Sequence, residues 1–277
     1  MARAHEEARL RAPKKVRLDT LLVERRLAES RNRARALIME GAVLVDGAVV
    51  DKAGAGVPPT ARLALRSRPP YVSRGGLKLE RALERFRINA EGRVVADIGS
   101  STGGFTDCWL RHGARLVYAV DVGYGQLAPA LRADPRVEVH ERTNARYLAP
   151  GAFSGPPPSL ASVDVSFIDP ALILPALERV MAEGWELIEL VKPQFVVGPE
   201  RVGKGGVVRD PAAHELALQR AMEAVRRVGL EPVALMPSPI RGQKGNREFL
   251  LHAVKDAPFH AISAAAVVQE AWEDRDS

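Results

Sequence analysis

Apolar runs of strand length alternate with amphipathic runs of helix length from residue 93 to residue 254, and this alternation restricts the fold more than any other feature. The strand-like runs are RVVADIG (93–99), RLVYAVDVG (115–123), VEVHER (137–142), SVDVSFI (162–168), ELIELVK (186–192), PVALMPS (232–238) and FLLHAV (249–254). Helices are predicted between most of them, among others over FTDCWLRHG (105–113), ALILPALERVMAEG (171–184) and AAHELALQRAMEAVRRVG (212–229). Such alternation is typical of a doubly wound α/β sheet, whose parallel strands are joined by helices. The last two runs have no helical stretch between them and predict an antiparallel hairpin at the sheet edge.

The first strand-like run leads into a glycine-rich turn, ADIGSSTGGFTD (96–107), that precedes an apolar helix. In a doubly wound sheet, ligands bind at the carboxyl ends of the strands, near the point where the strand order reverses. We therefore predict that the backbone of this turn approaches a ligand, with contacts from Gly99, Ser101, Gly103 and Gly104. The alternative is a purely structural turn that binds no ligand.

Two acidic residues narrow the choice of ligand. Asp121 ends the next strand, about twenty residues after the turn, where a carboxylate can accept hydrogen bonds from ribose hydroxyls. This combination fits NAD as well as S-adenosylmethionine, but the turn lacks the G-x-G-x-x-G spacing of dinucleotide sites. Asp97 precedes the first glycine of the turn and favours a ligand with positive charge. S-adenosylmethionine carries a sulfonium and an amino group, so it is the favoured cofactor.

Four further polar residues interrupt otherwise apolar surroundings and are candidates for catalysis: Lys78, Asp164, Lys192 and Glu248. Lys78 begins the predicted helix KLERALERF (78–86), and Asp164 falls inside the predicted strand 162–168. Lys192 ends a strand that should neighbour the Asp164 strand, so both side chains are expected at the carboxyl edge of the sheet. Each residue on its own could equally be an ordinary charged side chain at a strand end, with its charge compensated by other groups of the fold.

The amino-terminal part of the chain is basic and has a different pattern. Residues 1–78 hold seventeen Lys and Arg against eight Asp and Glu, whereas residues 79–277 hold 23 against 26. From Val16 the sequence predicts two short helices, the second capped by Ser30, and then a hairpin whose turn is Asp46-Gly47. Five arginines on the helices are the candidate RNA-binding residues: Arg25, Arg26, Arg31, Arg33 and Arg35. Such a patterned basic segment favours nucleic acid as the partner, with a solvated basic arm as the alternative.

Several classes of protein are disfavoured by composition. The chain has one cysteine, Cys108, so it has neither an internal disulfide framework nor a cysteine-based zinc cluster, and a reducing cytoplasm is expected. No histidine pair has metal-ligand spacing, so no metal site is predicted. The first fifteen residues lack the apolar segment of a secretory signal, and no apolar run reaches the length of a membrane span.

Residues 16 to about 66 resemble the S-four-type RNA-binding module, which binds structured RNA. The chain as a whole resembles the TlyA family, in which such a module precedes an FtsJ-like, class I methyltransferase domain with a Rossmann-like sheet. The resemblance is carried by SRGGLKLERAL (73–83), ADIGSSTGGFTD (96–107), VYAVDVGYGQL (117–127), RTNAR (142–146), DVSFI (164–168), LVKPQF (190–195), KGGVVRD (204–210) and KGNREFLL (244–251). The implied division is a basic leader (1–15), the RNA-binding module (16–66), a linker (67–77), the methyltransferase domain (78–257) and a tail (258–277).

The resemblance also implies an activity: S-adenosylmethionine-dependent methylation of the 2′-oxygen of cytidine in ribosomal RNA, without a metal. It implies that Lys78, Asp164, Lys192 and Glu248 form a catalytic tetrad in which Lys192 is the base, and it adds Asn144 to the cofactor contacts. A 2′-hydroxyl is a poor nucleophile, and an amine whose pKa is lowered by burial or by a second ammonium can remove its proton.

Three alternatives accompany this prediction. The first is an RNA-binding or ribosome-assembly factor without activity, which the complete tetrad disfavours. The second is a membrane-active haemolysin, because the family also carries that label, although no membrane segment is predicted. The third is a pseudouridine synthase with the same amino-terminal module, which would not need the glycine turn and Asp121.

Overall fold

The structure is a computed structural model that describes residues 15–39, 42–65 and 70–273. The chain divides into two compact units, Met1–Pro69 and Pro70–Ser277. Nearly all of the predicted basic leader, part of the predicted linker and the last four residues of the tail lie outside the described residues. The two units are described separately below.

The amino-terminal unit contains two helices and short antiparallel strand pairs. Its elements are β1 (Val16–Arg17), α1 (Leu18–Glu24), α2 (Arg31–Met39), β2 (Val43–Val45), β3 (Ala48–Val49), β4 (Gly56–Val57) and β5 (Leu63–Leu65). Strand β1 pairs with β4, and β2 lies between β3 and β5. The predicted tight turn is present, because Asp46 and Gly47 both have positive φ angles, 50° and 85°. Ser30 Oγ accepts a 3.2 Å hydrogen bond from the Arg33 amide, which confirms the predicted cap of α2.

The carboxy-terminal unit is built on a seven-stranded sheet with the order β11-β12-β10-β9-β6-β7-β8. The strands are β6 (Val94–Ile98), β7 (Leu116–Val120), β8 (Val137–His140), β9 (Leu160–Val163), β10 (Glu186–Val191), β11 (Leu230–Pro237) and β12 (Phe249–Lys255). The five strands from β6 to β10 are parallel to one another, and β12 is antiparallel to both β10 and β11. The doubly wound sheet with an antiparallel hairpin at one edge is thereby confirmed.

Helices cover both faces of this sheet: α3 (Gly75–Phe86), α4 (Gly104–Arg111), α5 (Pro129–Arg132), α6 (Leu174–Glu178), α7 (Pro193–Val196), α8 (Pro211–Arg226) and α9 (Ala264–Glu273). Side chains of β10 alternate between two apolar clusters, with Leu187 and Val191 in one and Ile188 and Leu190 in the other. Because both faces are buried, the central strands read as continuous apolar runs in the sequence.

Two sequence predictions differ from the structure in the stretch after β9. The strand predicted over 162–168 ends at Val163, so Asp164 follows the strand instead of lying within it. The Asp164 amide still donates a hydrogen bond to Ile98, 2.9 Å away, but β6 ends there and the neighbouring chain turns away. The helix predicted over 171–184 is much shorter, a 3-10 turn at Pro170–Leu172 followed by α6.

Candidate active site

The predicted glycine turn lies where the order of the parallel strands reverses, between β6 and β9. Gly99 follows β6 with a φ of +83°, and a Cβ at this position would collide with the main-chain carbonyl oxygen of Asp164. Only glycine combines that backbone angle with so close an approach of a second strand end. The turn thus brings the end of β6 directly against the residue that follows β9.

The rest of the turn exposes backbone at the start of α4. Ser101 and Gly103 also have positive φ angles, 48° and 96°. A Cβ on Gly103 would collide with Leu131, and a Cβ on Gly104 would collide with the Ser73 hydroxyl. Both positions therefore require glycine, because neighbouring side chains pack directly against the backbone at the amino terminus of α4.

A cavity of about 460 Å³ opens beside this turn. Gly99, Ser101, Asp121, Asn144 and Asp164 all line it. The Asp121 carboxylate accepts hydrogen bonds from the amides of Ser101 (2.8 Å) and Gly123 (2.7 Å). A carboxylate has about four acceptor positions, so two remain for the hydroxyls of a ligand. The Asn144 side chain accepts a 3.1 Å hydrogen bond from the Arg146 amide, which leaves its amide donors for a ligand.

Asp97 is placed differently from the other predicted cofactor residues. Its side chain is fully buried beneath the turn, where Thr106 and Ser162 donate hydrogen bonds of 2.6 Å and 2.8 Å to its two oxygens. Burial raises the pKa of Asp97 to about 6, and the two hydroxyl donors partly oppose that shift. Trp109 in turn donates to Ser162, so Asp97 anchors the first turn of α4 to β9.

The four predicted catalytic residues form two close ion pairs. Lys192 Nζ lies 2.6 Å from Asp164 Oδ1 and donates a 2.8 Å hydrogen bond to Ser166 Oγ. Lys78 Nζ donates a 2.5 Å hydrogen bond to Glu248 Oε2, and both of these side chains are buried. Parallel pairing of β9 with β10 explains the first pair, because both residues directly follow their strands.

Both ion pairs line one cleft of about 410 Å³, which also contains Gly99 and Ser101. The cleft therefore adjoins the cavity beside the glycine turn, since Gly99, Ser101 and Asp164 line both. The structure thus brings together all four predicted catalytic residues and all the predicted cofactor residues except the buried Asp97 and the two glycines packed at the start of α4.

Several residues of the cleft were missed by the sequence analysis. Ser166 contacts Lys192, and Lys244 and Asn246 contribute polar groups from the segment before β12. Phe167 is 91% exposed, has a φ of +65°, and packs its ring 5.3 Å from that of Phe195. An aromatic residue with both exposure and a left-handed backbone is costly for the fold, and such costs are concentrated at functional sites. Reading DVSFI as a strand concealed this loop.

In the amino-terminal unit, a buried carboxylate organises part of the predicted arginine cluster. Asp19 is fully buried and accepts hydrogen bonds from Arg17 (3.0 and 2.9 Å), Arg31 (3.3 Å) and Arg35 (3.2 Å). The hydrogen bonds from Arg17 hold the pKa of Asp19 well below its usual range. Neither Arg17 nor Asp19 was singled out from the sequence, although both belong to the phrase RLD at the start of the module.

The remaining predicted RNA-binding arginines differ in their surroundings. Arg25 donates hydrogen bonds to the carbonyl oxygens of Ala61 (2.8 Å) and Pro59, so it ties α1 to the chain before β5. Arg26 and Arg33 are exposed at the surface of the same unit. This unit therefore presents guanidinium groups of two kinds, some fixed by the fold and some facing solvent.

Comparison with known proteins identifies both units. The profile of the FtsJ-like methyltransferases matches residues 71–255, and that of the S4 domain matches residues 16–63. The chain belongs to the FtsJ-like methyltransferase family. The carboxy-terminal unit is accordingly called the methyltransferase unit below, and the amino-terminal unit the S4 unit.

Relatives with these units are similar over most of their length. The 16S/23S rRNA (cytidine-2′-O)-methyltransferase TlyA of Mycobacterium tuberculosis is 45% identical over 240 residues, 86% of this chain and 89% of the relative. Hemolysin A of Brachyspira hyodysenteriae is 39% identical over 241 residues, 86% of this chain and 100% of the relative. A solved structure of a hemolysin candidate from Streptococcus thermophilus is 43% identical, covers 95% of this chain and 97% of its own, and superposes with a TM-score of 0.74.

Two features are absent from the part of the chain that the structure describes. None of its helices is both long enough and apolar enough to span a bilayer. No group of three or more His, Cys, Asp or Glu side chains within those same ranges is arranged to hold a metal ion.

Proposed function

We propose that this methyltransferase transfers a methyl group from S-adenosylmethionine to the 2′-oxygen of cytidine in ribosomal RNA. The observation that carries the proposal is the cleft shared by the Lys192–Asp164 and Lys78–Glu248 pairs, which opens beside the glycine turn. The TlyA relative, named as an rRNA (cytidine-2′-O)-methyltransferase, supports the choice of substrate. Because ribosomal RNA is the substrate, the reaction would take place in the cytoplasm.

The cavity beside the turn suits S-adenosylmethionine in size and in chemistry. Its volume of about 460 Å³ lies within the range of small-molecule sites, about 300–1,000 Å³. Asp121 would hold the ribose hydroxyls and Asn144 a polar group of the cofactor, while Gly99 and Ser101 present backbone along one wall. When bound, the cofactor supplies an electrophilic methyl group on a sulfonium. We assign Gly103, Gly104 and Asp97 to shaping the turn, since they pack beneath it.

The two lysines of the cleft have different proposed roles in the reaction. Lys192 is the base: once its ammonium has released a proton to solvent, the neutral Nζ would take the proton from the 2′-hydroxyl, while Asp164 and Ser166 hold the amine in place. Lys78, fixed by Glu248, would bind and orient the attacking oxygen through its remaining N–H groups. Most of the rate enhancement in such a site comes from positioning the nucleophile in line with the methyl group.

RNA would contact both units of the protein. In the S4 unit, we propose that Arg26 and Arg33 contact phosphates directly, together with Arg31 and Arg35. Arg25 would act by holding the chain before β5. At the mouth of the cleft, the exposed ring of Phe167 offers a stacking surface for a nucleotide that has left its helix. The division into an RNA-binding module (16–66) and a methyltransferase domain (78–257) is proposed on the same grounds.

The direct test is methyl transfer from radiolabelled S-adenosylmethionine to isolated ribosomal subunits and to naked ribosomal RNA. Wild type should be compared with Lys192→Ala and with the control Lys255→Ala. Lys255 suits the purpose because it also pairs with a carboxylate, Glu178 at 2.7 Å, but lies at the opposite end of the sheet. We expect label on the 2′-oxygen of cytidine with wild type and the control, and its loss with Lys192→Ala.

Other results would decide among the alternatives. If wild type binds RNA but transfers no label, the chain is an RNA-binding factor and the enzymatic proposal fails. If transfer survives Lys192→Ala, the reaction stands and Lys192 is not the base. Leakage of lipid vesicles caused by the pure protein, without any transfer to RNA, would support the membrane-active alternative.

A further inference from the structure

Five arginines surround a groove of about 560 Å³ in the methyltransferase unit, next to the catalytic cleft. Arg81 and Arg85 project from α3, and Arg74 precedes that helix. Arg241 and Arg247 come from the segment between β11 and β12. We call this surface, lined by Arg74, Arg81, Arg85, Arg241 and Arg247, the arginine groove.

The carboxylates that line the arginine groove compensate little of its charge. Glu270 lies 3.9 Å from Arg85, and both side chains are about half exposed, so their interaction is weak. The other carboxylate of the lining, Glu248, is buried against Lys78 and is neutralised by it. Arg81 also pairs with Glu84 at 3.2 Å, but both of these side chains are more than half exposed, so this pair is weak as well. With Arg74 and Arg241 beside them, the groove carries a net positive charge and would attract a polyanion.

Two of the arginines, Arg74 and Arg247, are held in place by contacts with the rest of the unit. Arg74 donates a 3.0 Å hydrogen bond to the carbonyl oxygen of Arg241. Arg247 donates a 2.9 Å hydrogen bond to the carbonyl oxygen of Ala271, and its guanidinium lies 4.2 Å from the centre of the Trp272 ring. Helix α9 thus fixes one wall of the groove. A guanidinium fixed in this way loses little conformational entropy when it binds a phosphate.

The arginine groove is continuous with the catalytic cleft. Glu248 lines both, and Arg74 and Arg241 also line the small cavity that contains Lys78, Gly99 and Asp164. An RNA strand whose target nucleotide enters the cleft can therefore continue directly along the arginine groove.

We infer that the arginine groove binds the sugar–phosphate backbone of the RNA strand next to the target nucleotide. This inference rests on the proposed function, because it takes RNA as the substrate. Planar guanidinium forks match phosphate oxygens, and a row of them along a groove that leads to the catalytic base fits a nucleic-acid strand. A second docking site in the methyltransferase unit would fix the register of the target, while the S4 unit contributes separate affinity.

The test is the double variant Arg81→Gln/Arg85→Gln, with Arg115→Gln/Arg227→Gln as the matched control. The control arginines are equally exposed but lie at the opposite end of the sheet, before β7 and β11. With ribosomal RNA as substrate, we expect the groove variant to raise KM on the order of tenfold, with kcat nearly unchanged. The dependence of log KM on log salt should fall in slope by about one to two, because each lost phosphate contact removes roughly 0.7–0.9.

Three further measurements keep the inference separate from the proposed function. Binding of naked ribosomal RNA without cofactor should weaken in the groove variant even if no methylation is detected. Arg81→Lys/Arg85→Lys, which keeps the charge, should restore most of the salt slope. A groove variant with wild-type KM and salt slope, in an enzyme that methylates RNA, would overturn the inference. So would an effect seen with intact ribosomal subunits but not with naked RNA, because the groove would then bind a protein.

Discussion

Lys192 and Asp164 face each other across the ends of two adjacent parallel strands, with Nζ and Oδ1 2.6 Å apart. Each residue is the first after its strand, so both side chains lie at the carboxyl edge of the parallel strands. The Asp164 carboxylate holds the amine as an ion pair, and Ser166 Oγ accepts a 2.8 Å hydrogen bond from it. Catalysis by Lys192 should therefore depend on the two side chains that hold its amine, Asp164 and Ser166.

Asp164→Asn tests this positioning of the lysine. The substitution keeps the size of the side chain but removes the charge that holds Lys192, so we expect kcat to fall about 10²- to 10³-fold. Ser166→Ala removes one hydrogen bond and should lower kcat by about tenfold. Single-turnover kinetics at saturating RNA measures both. Equal rates for Asp164→Asn and wild type would show that the ion pair has no part in catalysis.

Breaking the Lys78–Glu248 pair should cost stability as well as activity. Both partners are buried, so Glu248→Leu leaves an ammonium without its counter-charge and should lower the free energy of unfolding by about 3–5 kcal/mol. The double variant Lys78→Met/Glu248→Leu removes both charges and should recover most of that loss in urea denaturation. It should remain inactive. A double variant that regains methyl transfer would mean that Lys78 has only a structural role.

Asp121→Ala should weaken the binding of S-adenosylmethionine. The carboxylate lines the cofactor cavity and also fixes the glycine turn through the Ser101 and Gly123 amides. Loss of both functions should raise Kd at least tenfold in isothermal titration calorimetry, with Asp121→Asn intermediate. Asp134→Ala is the control and should bind normally, because Asp134 also accepts a backbone hydrogen bond, from Arg136 at 2.9 Å, but lies outside the cavity lining.

Gly99→Ala should disturb the cofactor site and the catalytic site together. An added methyl group would collide with the Asp164 carbonyl oxygen, and the backbone at φ +83° is itself unfavourable for alanine. We expect a loss of about 2 kcal/mol or more in unfolding free energy and loss of cofactor binding. Gly92→Ala, at φ +71° with open space around it, separates the two causes because it has the backbone cost without the collision.

Glu189 should make stability depend on pH. It lies fully buried in β10, and burial, assisted by the charge of Asp169, raises its pKa from 4.5 to about 8. A raised pKa means that the fold favours the protonated acid, so its stabilising contribution is present below pH 4.5 and is lost as pH rises towards 8. Glu189→Gln does not titrate, so its stability relative to wild type should rise by up to about 1.4 kcal/mol per pH unit in that window. Parallel pH profiles for the two proteins would exclude this.

The features predictable from the sequence were those with a local cause. Strand and helix alternation follows from periodicity, and the Asp46-Gly47 turn from residue types that accept positive φ. The Lys192–Asp164 pair could be placed because parallel neighbours end at the same edge. The strand predicted over 162–168 was wrong because an apolar run does not show where its pairing partner, β6, turns away.

Long-range contacts could not be predicted without the resemblance. Lys78 and Glu248 are separated by 170 positions, and no local pattern relates them. The surroundings of Asp97 could not be predicted either. Its negative charge suggested contact with a ligand, but both of its carboxylate oxygens accept hydrogen bonds from Thr106 and Ser162. The hydrogen bonds of Arg25 to the carbonyls of Ala61 and Pro59 likewise depend on how α1 packs against a later loop.

The antiparallel insertion of β12 has a consequence for how this enzyme can change. Register pairs Val191 with Phe249, so β12 begins at the edge where the parallel strands β6 to β10 end. The segment that precedes β12, with Arg241, Lys244 and Glu248, therefore approaches the proposed RNA site from the β12 side of the sheet, whereas the proposed cofactor cavity is lined by residues at the ends of β6, β7 and β9. Insertions or exchanges in that segment that keep Glu248 would alter which RNA is accepted and leave the lining of the donor cavity unchanged, so the two specificities can evolve independently.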